Sequence, residues 1–391
     1  MHIGVVGPFN PLTVQSYFKK STALPNINRM ATSVNCYVNG LLKTGHKVTV
    51  FTSYSFDGDP YTIEGNNIRI CLVSTRFKIH GLSRLRMAKR IQKEIKPFLS
   101  ELDVLHAEWT YEYALAIKSF KNRIPVFCSV RDWAPYLYRL AKGIKEKYYW
   151  GLSLFVFKKV MKGNELHLIA NSEYTEKQIL SRYPTKDVVI IPNPMDSKNI
   201  LKSRENYPEN PVFISISTSP FTPRKNNLIL LHAFSVFRQK YPMASLIIIG
   251  ACSDELKMDL EKKGLLEGVR LTGSLDHDEV IRCIDQSSCL VHPALEETFG
   301  NILLEGMCRR VPCIGGNKSG AVPQVLGYGK YGILCDVTNI SSIVEALTKA
   351  IEDTNKRDQL INDCTKYIAD SFSETVIARS HLELFSKFVS S

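Results

Sequence analysis

Glu297 and Glu305 lie eight residues apart in Val291-His292-Pro293-Ala294-Leu295-Glu296-Glu297-Thr298-Phe299-Gly300-Asn301-Ile302-Leu303-Leu304-Glu305-Gly306-Met307. Two carboxylates at that spacing can serve a phosphate-bearing, hydroxyl-rich ligand. The apolar run ending at His292 reads as a buried strand. A short loop carries Glu296 and Glu297, and Gly300-Asn301 opens a helix. Open α/β sheets bind ligands beyond the carboxyl ends of their strands. A helix N-terminus offers N–H groups and a positive dipole to phosphate or sugar oxygens. Glu305, in the second turn, can accept hydrogen bonds from paired hydroxyls such as those of ribose. A plainer reading has these acids as first-turn residues and a solvated helix face. The apolar strand before, Phe299-Gly300 in the turn and the apolar helix after favour the ligand site.

Three further groups have the right chemistry. Arg224 and Lys225 follow the strand Val212–Ser217 and put two adjacent cations beyond its carboxyl end. As a solvated loop pair they would do nothing. Arg131 and Asp132 close the strand Val126–Val130 and put a permanent cation at its end; an Arg–Asp surface pair is the alternative. His106 and His292 also end strands, each equally readable as a ligand contact or a satisfied structural histidine.

These residues need two sheets to position them. The chain's 391 residues exceed one ordinary core and suit two domains. Strands are predicted at His2–Gly7, Lys47–Thr52, Ile68–Val73, Val104–His106, Val126–Val130, His167–Ala170 and Val188–Ile191, with helices between, the first over Met30–Lys43. Alternating β and α predicts a doubly wound parallel sheet. A polar, Pro-bearing stretch from Pro194 to Pro211 reads as a linker. The series restarts with strands at Val212–Ser217, Ser245–Gly250, Val269–Thr272, Cys289–His292 and Pro312–Gly315. The predicted organisation is residues 1–197, residues 198–372, and a C-terminal helix within 373–391 packing back toward the first domain.

Composition narrows the class. Hydrophobic residues make up 44% and charged residues 23%, a globular balance. No run of 18 apolar residues is present, so no membrane-spanning helix is expected, and the N-terminus lacks a signal-peptide pattern. Ten scattered cysteines with no C-x-x-C suggest small buried hydrophobes in a reducing compartment. The net charge of +12 is concentrated in the first half, which faces something anionic. Arg76 to Lys96 reads as a basic amphipathic helix, with Lys78, Arg84, Arg86, Lys89, Arg90 and Lys93 interleaved with Leu82, Leu85, Ile91 and Ile95. Lys142 to Lys162 mixes lysines with Tyr148, Tyr149, Trp150, Phe155 and Phe157. Both suit an anionic membrane surface; a solvated face over a core is the alternative.

The segment Pro293–Met307 resembles the E-x₇-E signature of retaining family-4 glycosyltransferases, the glycosyl transferases group 1 type with the GT-B fold. It differs in having Thr298 for the first glycine and Gly306 for the alanine. The resemblance implies two Rossmann-like domains facing a central cleft, with donor on the second and acceptor on the first. It implies that Glu297 approaches the transferred sugar and Glu305 binds the ribose. The backbone at Phe299, Gly300 and Asn301, with Ile302 beside it, would contact the donor. Lys225 matches the family's diphosphate-binding lysine. Ser217-Thr218 stand where the family has Gly-Arg, so the upstream arginine is missing and Arg224 is the candidate substitute. Gly7, closing the first strand, joins the donor set, whereas Asn26-Ile27-Asn28-Arg29 replace the family's Gly-Gly. Gly45–Val50, Asp103–Glu108, Ala170–Glu173 and Ile191–Pro194 resemble family segments more loosely. Arg131 falls at the family's strand-end histidine, with His106 and Asp132 on the acceptor side.

The expectation is therefore a hexosyltransferase-type enzyme moving a sugar from a nucleotide-diphospho-sugar to a lipid-linked or glycan acceptor in cell-surface polysaccharide or glycolipid biosynthesis. It would need no metal or cofactor and bind no nucleic acid. It would sit in the cytoplasm, peripheral on the inner face of the membrane. Alternatives are a sugar epimerase or phosphorylase of the same fold, or a catalytically silent sugar-nucleotide-binding partner. An NAD-dependent oxidoreductase is disfavoured because Gly4-Val5-Val6-Gly7 does not make G-x-G-x-x-G.

Overall fold

Apolar residues predominate in the central strands and are buried on both faces, as sheets covered by helices on both faces require. The computed structural model describes residues 1–27, 31–76, 83–201, 204 and 207–389. Asn28, Arg29 and Met30 at the expected helix start, and Lys78 and Leu82 of the basic stretch, lie outside the described residues. The chain forms two units, Met1–Pro194 with Phe372–Ser391, and Met195–Ser371.

In the first unit the strands are β1 (His2–Val6), β2 (Lys47–Tyr54), β3 (Tyr61–Glu64), β4 (Ile68–Ser74), β5 (Val104–Glu108), β6 (Val126–Val130), β7 (His167–Ala170) and β8 (Val188–Ile190). Their order is β3-β4-β2-β1-β5-β6-β7-β8. All pairs are parallel except β3–β4, a hairpin whose register puts Tyr61 opposite Leu72. The order reverses between β1 and β5. Strand β3 escapes a pattern search because it is four residues long, mostly exposed, and preceded by Asp57-Gly58-Asp59-Pro60.

The helix Glu374–Ser386 completes this unit's core. Its Ile377, Ala378, Leu382 and Phe385 pack with Val34, Tyr37, Leu41 and Phe127. The approach to the helix Thr32–Lys43 is close, since a Cβ on Gly40 would lie 2.1 Å from the Glu374 carbonyl oxygen. Lys43 pairs with the buried Glu374 carboxylate at 2.5 Å.

The basic helix Ser83–Ile95 departs from its expected role. Ile91 and Ile95 are fully buried in the core and Leu85 packs against it, so its apolar face is not available to lipid. Arg84 pairs with Glu112 and lies over the rings of Tyr111 and Tyr149 at 4.5 and 5.0 Å. Arg90 donates to the carbonyls of Ser74 and Arg76. The helix Gly143–Met161 differs: Ile144 is 90% exposed and Tyr148 61%, with Tyr149 and Phe155 about half exposed. All ten cysteines are free, and eight are buried. Among the described residues no helix is long and apolar enough to cross a membrane.

The second unit has β9 (Val212–Ile216), β10 (Ser245–Ile249), β11 (Val269–Gly273), β12 (Cys289–His292), β13 (Cys313–Gly316) and β14 (Ile333–Cys335). All are parallel, in the order β11-β10-β9-β12-β13-β14. Here the order reverses between β9 and β12. Chain leaving β9 crosses to one side through β10 and β11, and chain leaving β12 crosses to the other. The loops after β9 and β12 therefore diverge above the sheet, which is where open α/β sheets take ligands.

Candidate active site

The loop after β9 is anchored before it presents its cations. Asn226 adopts left-handed backbone, φ 59°, a conformation asparagine tolerates better than most residues. It is buried, and its Nδ2 donates to the carbonyls of Pro293 (3.1 Å) and Val337 (2.8 Å). One amide thus ties the loops after β9, β12 and β14. Asn227 Nδ2 donates to the Pro220 carbonyl at 3.0 Å and closes the loop on itself. Ser217 and Thr218 are held through backbone: Ser217 N–H donates to Ile249, and the Thr218 carbonyl accepts from Ala251.

Arg224 and Lys225 meet the loop after β12 just ahead of that anchor. The Leu295 N–H donates to the Arg224 carbonyl at 2.8 Å. Arg224 Nη1 donates to the Glu296 carbonyl at 3.0 Å and lies 3.3 Å from Glu297 Oε1. Lys225 Nζ donates to the same Oε1, and His292 Nε2 lies 3.3 Å from it. Three basic side chains thus converge on one carboxylate oxygen. On the backbone side, Ala321 N–H donates to the Glu297 carbonyl at 2.9 Å. A Cβ on Gly320 would lie 2.2 Å from that oxygen, so glycine is required there.

The cluster's electrostatics follow from its burial. Burial disfavours the charge on Glu297, but the His292 hydrogen bond and the Lys225 and Arg224 charges overcome it and hold the carboxyl well below the usual range. Burial pulls Lys225 below its ordinary value while Glu297 opposes the shift. His292 is lowered by burial, partly offset by Glu297.

Gly300, φ 94°, caps the helix Asn301–Cys308 without a side chain. Leu303, Leu304, Met307 and Cys308 face the core, while Asn301, Ile302 and Glu305 share the opposite, partly exposed stripe. Phe299 is buried beneath the turn. Burial pushes the Glu305 carboxyl up to about 7, and among the described residues no hydrogen bond or ion pair reaches it. Gly306 stands where an alanine methyl would meet Cys313 Sγ at 2.8 Å.

The first unit's reversal point is built differently. Gly7 is buried, its N–H donates to the Phe51 carbonyl, and a Cβ there would lie 2.7 Å from Glu108 Cβ. Glycine is needed at this position to admit Glu108. The expectation for His106 is corrected. It is fully buried, with Nδ1 on the Tyr37 hydroxyl and Nε2 on the Ser129 hydroxyl, both at 2.9 Å. Its ring packs against Tyr37, His381 and Phe385, and burial lowers it to about 3. It is a neutral core histidine with no surface for an acceptor.

Arg131 is not half of an exposed surface couple. Arg131 is buried, donating through Nε to Glu108 and through Nη1 to Asn193 Oδ1. Asp132 accepts from the Tyr111 hydroxyl at 2.8 Å. Glu108 and Asn193 lie inside the segments Asp103–Glu108 and Ile191–Pro194, and Asn226 directly follows Lys225; none of the three was expected at a site. A carboxylate ending one buried strand beside an arginine ending the next was the available signal for Glu108.

Comparison with known proteins bears on this geometry. The Glycosyl transferases group 1 profile matches residues 196–367, and the Glycosyltransferase Family 4 profile matches residues 30–199. The chain belongs to the group 1 glycosyltransferases. An uncharacterized glycosyltransferase of Methanocaldococcus jannaschii is 23% identical over 312 residues, 80% of this chain and 82% of that protein. The capsular polysaccharide biosynthesis glycosyltransferase CapM of Staphylococcus aureus is 24% identical over 161 residues. That match covers 41% of this chain and only 42% of CapM. The sucrose-phosphate synthase structure from Thermosynechococcus elongatus superposes with a TM-score of 0.74 at 15% identity, covering 99% of this chain and 98% of that one. As a glycosyltransferase, the chain has its family's GT-B fold, two Rossmann-like α/β units. The two profiles divide it near residue 197, just past the end of the first unit's sheet.

Proposed function

We propose that this glycosyltransferase moves a sugar, with retention of anomeric configuration, from a nucleotide-diphospho-sugar to a glycan or lipid-linked acceptor in cell-surface polysaccharide or glycolipid assembly. The observation that carries the reading is the convergence of Lys225, Arg224 and His292 on Glu297 at the strand-order reversal. The bond broken joins the anomeric carbon to a diphosphate oxygen, which keeps the electron pair. Lys225 and Arg224 stabilise that growing charge in a largely desolvated setting, where cations act most strongly. Two protein cations take the part a divalent metal plays elsewhere, so the proposed reaction runs without metal or cofactor. Glu297 positions the sugar, Glu305 accepts the ribose hydroxyls, and the Gly300–Ile302 turn meets the phosphates. Arg131, fixed by Glu108 and Asn193, serves the acceptor side with Asp132. CapM's role in capsular polysaccharide biosynthesis supports the acceptor class.

The membrane-facing element in this proposal is the start of the helix Gly143–Met161. Ile144, Tyr148 and Tyr149 stand exposed among Lys142, Lys145 and Lys147, the combination of apolar bulk, aromatic rings and lysines that suits an anionic cytoplasmic leaflet.

Incubating the purified chain with UDP-, GDP- and ADP-sugars tests the reaction, with and without a polyprenyl-diphosphate-linked acceptor. Release of nucleoside diphosphate only with acceptor, and a product of unchanged anomeric configuration, are expected. An inverted product sinks the stereochemical claim, and acceptor-independent conversion points to epimerisation. Sedimentation with vesicles containing anionic lipid at low salt is expected to carry the chain down. Loss of this in Ile144→Glu, Tyr148→Glu is the expected control, and no sedimentation of the unaltered chain rules out the membrane claim.

A further inference from the structure

Two adjoining hollows on the first unit's flank are lined by cations. The first, about 400 Å³, is lined by Trp133, Tyr138, Leu154 and Gln178, with Arg139 and Arg182 at its edges. The second, about 830 Å³, shares Arg182 and adds Lys158, Lys162, Lys186 and Tyr183. Among the described residues no acid lines either hollow.

Several cations elsewhere in this unit have an acid beside them. Arg69 has Glu64 and Glu101, Arg76 has Asp57, Arg84 has Glu112, and Lys118 and Lys121 share Glu165. In the hollows, Lys186 Nζ donates to the Gly163 carbonyl. Among the described residues no ion pair reaches Arg139, Lys158, Lys162 or Arg182. Glu165, already shared by Lys118 and Lys121, is the acid whose charge is felt at Lys186. Cations in excess around a concavity raise the local concentration of anions.

The shape and chemistry narrow the ligand. Trp133 is only 4% exposed, and the Tyr138 ring has the Lys147 ammonium 4.8 Å from its centre. Flat bases need open aromatic faces to stack on, and these rings are mostly covered. What remains on offer is guanidinium, ammonium and amide donors in hollows wide enough for sugar rings, and arginine forks match carboxylates well. Leu154 and Lys158 occupy one stripe of the helix Gly143–Met161. Ile144, Tyr148 and Phe155 occupy another. The hollows and the proposed membrane-facing tip therefore use different stripes of this helix and adjoin at Lys147, which donates to the Tyr138 carbonyl.

We propose that this flank groove binds an anionic glycan, a chain bearing carboxylate sugars. The proposal rests on the transferase reading for the glycan's relevance, but binding is measured without donor or turnover. The probe is a tetrasaccharide of galacturonic acid, with maltotetraose as the neutral control and a short single-stranded oligonucleotide of equal charge as the polyanion control. The charged tetrasaccharide is expected to bind measurably in low salt and maltotetraose not. Arg139→Ala and Arg182→Ala are each expected to weaken binding by roughly tenfold, as loss of a charged hydrogen-bond partner does, with Arg182→Lys recovering part of it. Both arginines are exposed, so the variants should melt as the parent does. The proposal is overturned if the charged tetrasaccharide binds no tighter than maltotetraose, or if both alanine variants stay within twofold of the parent. It is also overturned if the oligonucleotide binds more tightly and is lost in the same variants. Failure of the donor reading would register separately, as no melting shift with any nucleoside diphosphate.

Discussion

At the residue scale, Glu297 is held by more positive charge than one carboxylate can use. His292, Lys225 and Arg224 all reach the same oxygen. Replacing Lys225 with alanine removes the closest cation from the departing diphosphate. A fall in kcat on the order of 10²-fold is expected; near-parental turnover would rule out that role. Glu297→Gln acts in the opposite sense on binding. It releases Lys225 from its carboxylate, so nucleoside diphosphate should bind at least as tightly by calorimetry while transfer collapses. Glu305 predicts a pH dependence. Its carboxyl is raised from 4.5 to about 7 in the folded chain, so the folded form binds a proton the unfolded form has released. Stability from this group is full below about pH 4.5 and is lost as pH rises through about 7. Glu305→Gln should therefore melt with the parent at pH 5 and above it at pH 8. Nucleotide affinity should rise through pH 7 in the parent, as the ionised carboxylate becomes free to accept ribose hydroxyls, and lose that component in the glutamine variant.

At the scale of elements, the loop after β9 delivers Arg224 and Lys225 only because Asn226 fastens it. Asn226→Gly keeps the left-handed backbone accessible and deletes both donated hydrogen bonds. A loss of about 1–3 kcal/mol is expected from leaving two carbonyls short of a partner, read by urea unfolding, together with a lower kcat as Lys225 loses its fixed position. Much of this architecture is legible along the chain. Buried strands such as Val126–Val130 and Cys289–His292 stand out as apolar runs, and the Phe299–Gly300 turn marks where strand gives way to helix. The contacts are not legible in the same way. Lys225 and Glu297 lie 72 residues apart and meet because β9 and β12 are neighbours. Arg131 meets Glu108 through the register of β5 against β6. His106 has the motif position of a ligand contact, and only the packing of Tyr37 and His381 around it reveals a core residue. The basic helix Ser83–Ile95 misleads for a related reason: amphipathic spacing cannot distinguish a core from a lipid surface.

At the scale of the whole molecule, one strand order is used twice. Leaving aside the edge strands β3 and β8 of the first sheet, each sheet builds outward on one side, returns, and builds outward on the other. The second unit uses its reversal for a cluster of opposed charges, while the first fills its own with Gly7 packed on Glu108. The units also differ in how the chain closes them. The second is one continuous stretch, Met195–Ser371, and the first is finished by Phe372–Ser391. Phe385 and Ile377 are buried there against residues from the far end of the sequence. This sets the order of assembly on the ribosome. The first unit emerges early but lacks the helix that covers Tyr37, Leu41 and Phe127. Translating the intervening span takes on the order of ten seconds or more at usual elongation rates. Through that interval the nascent first unit carries an uncovered apolar face. The second unit, needing nothing synthesised after it, can reach its native state first.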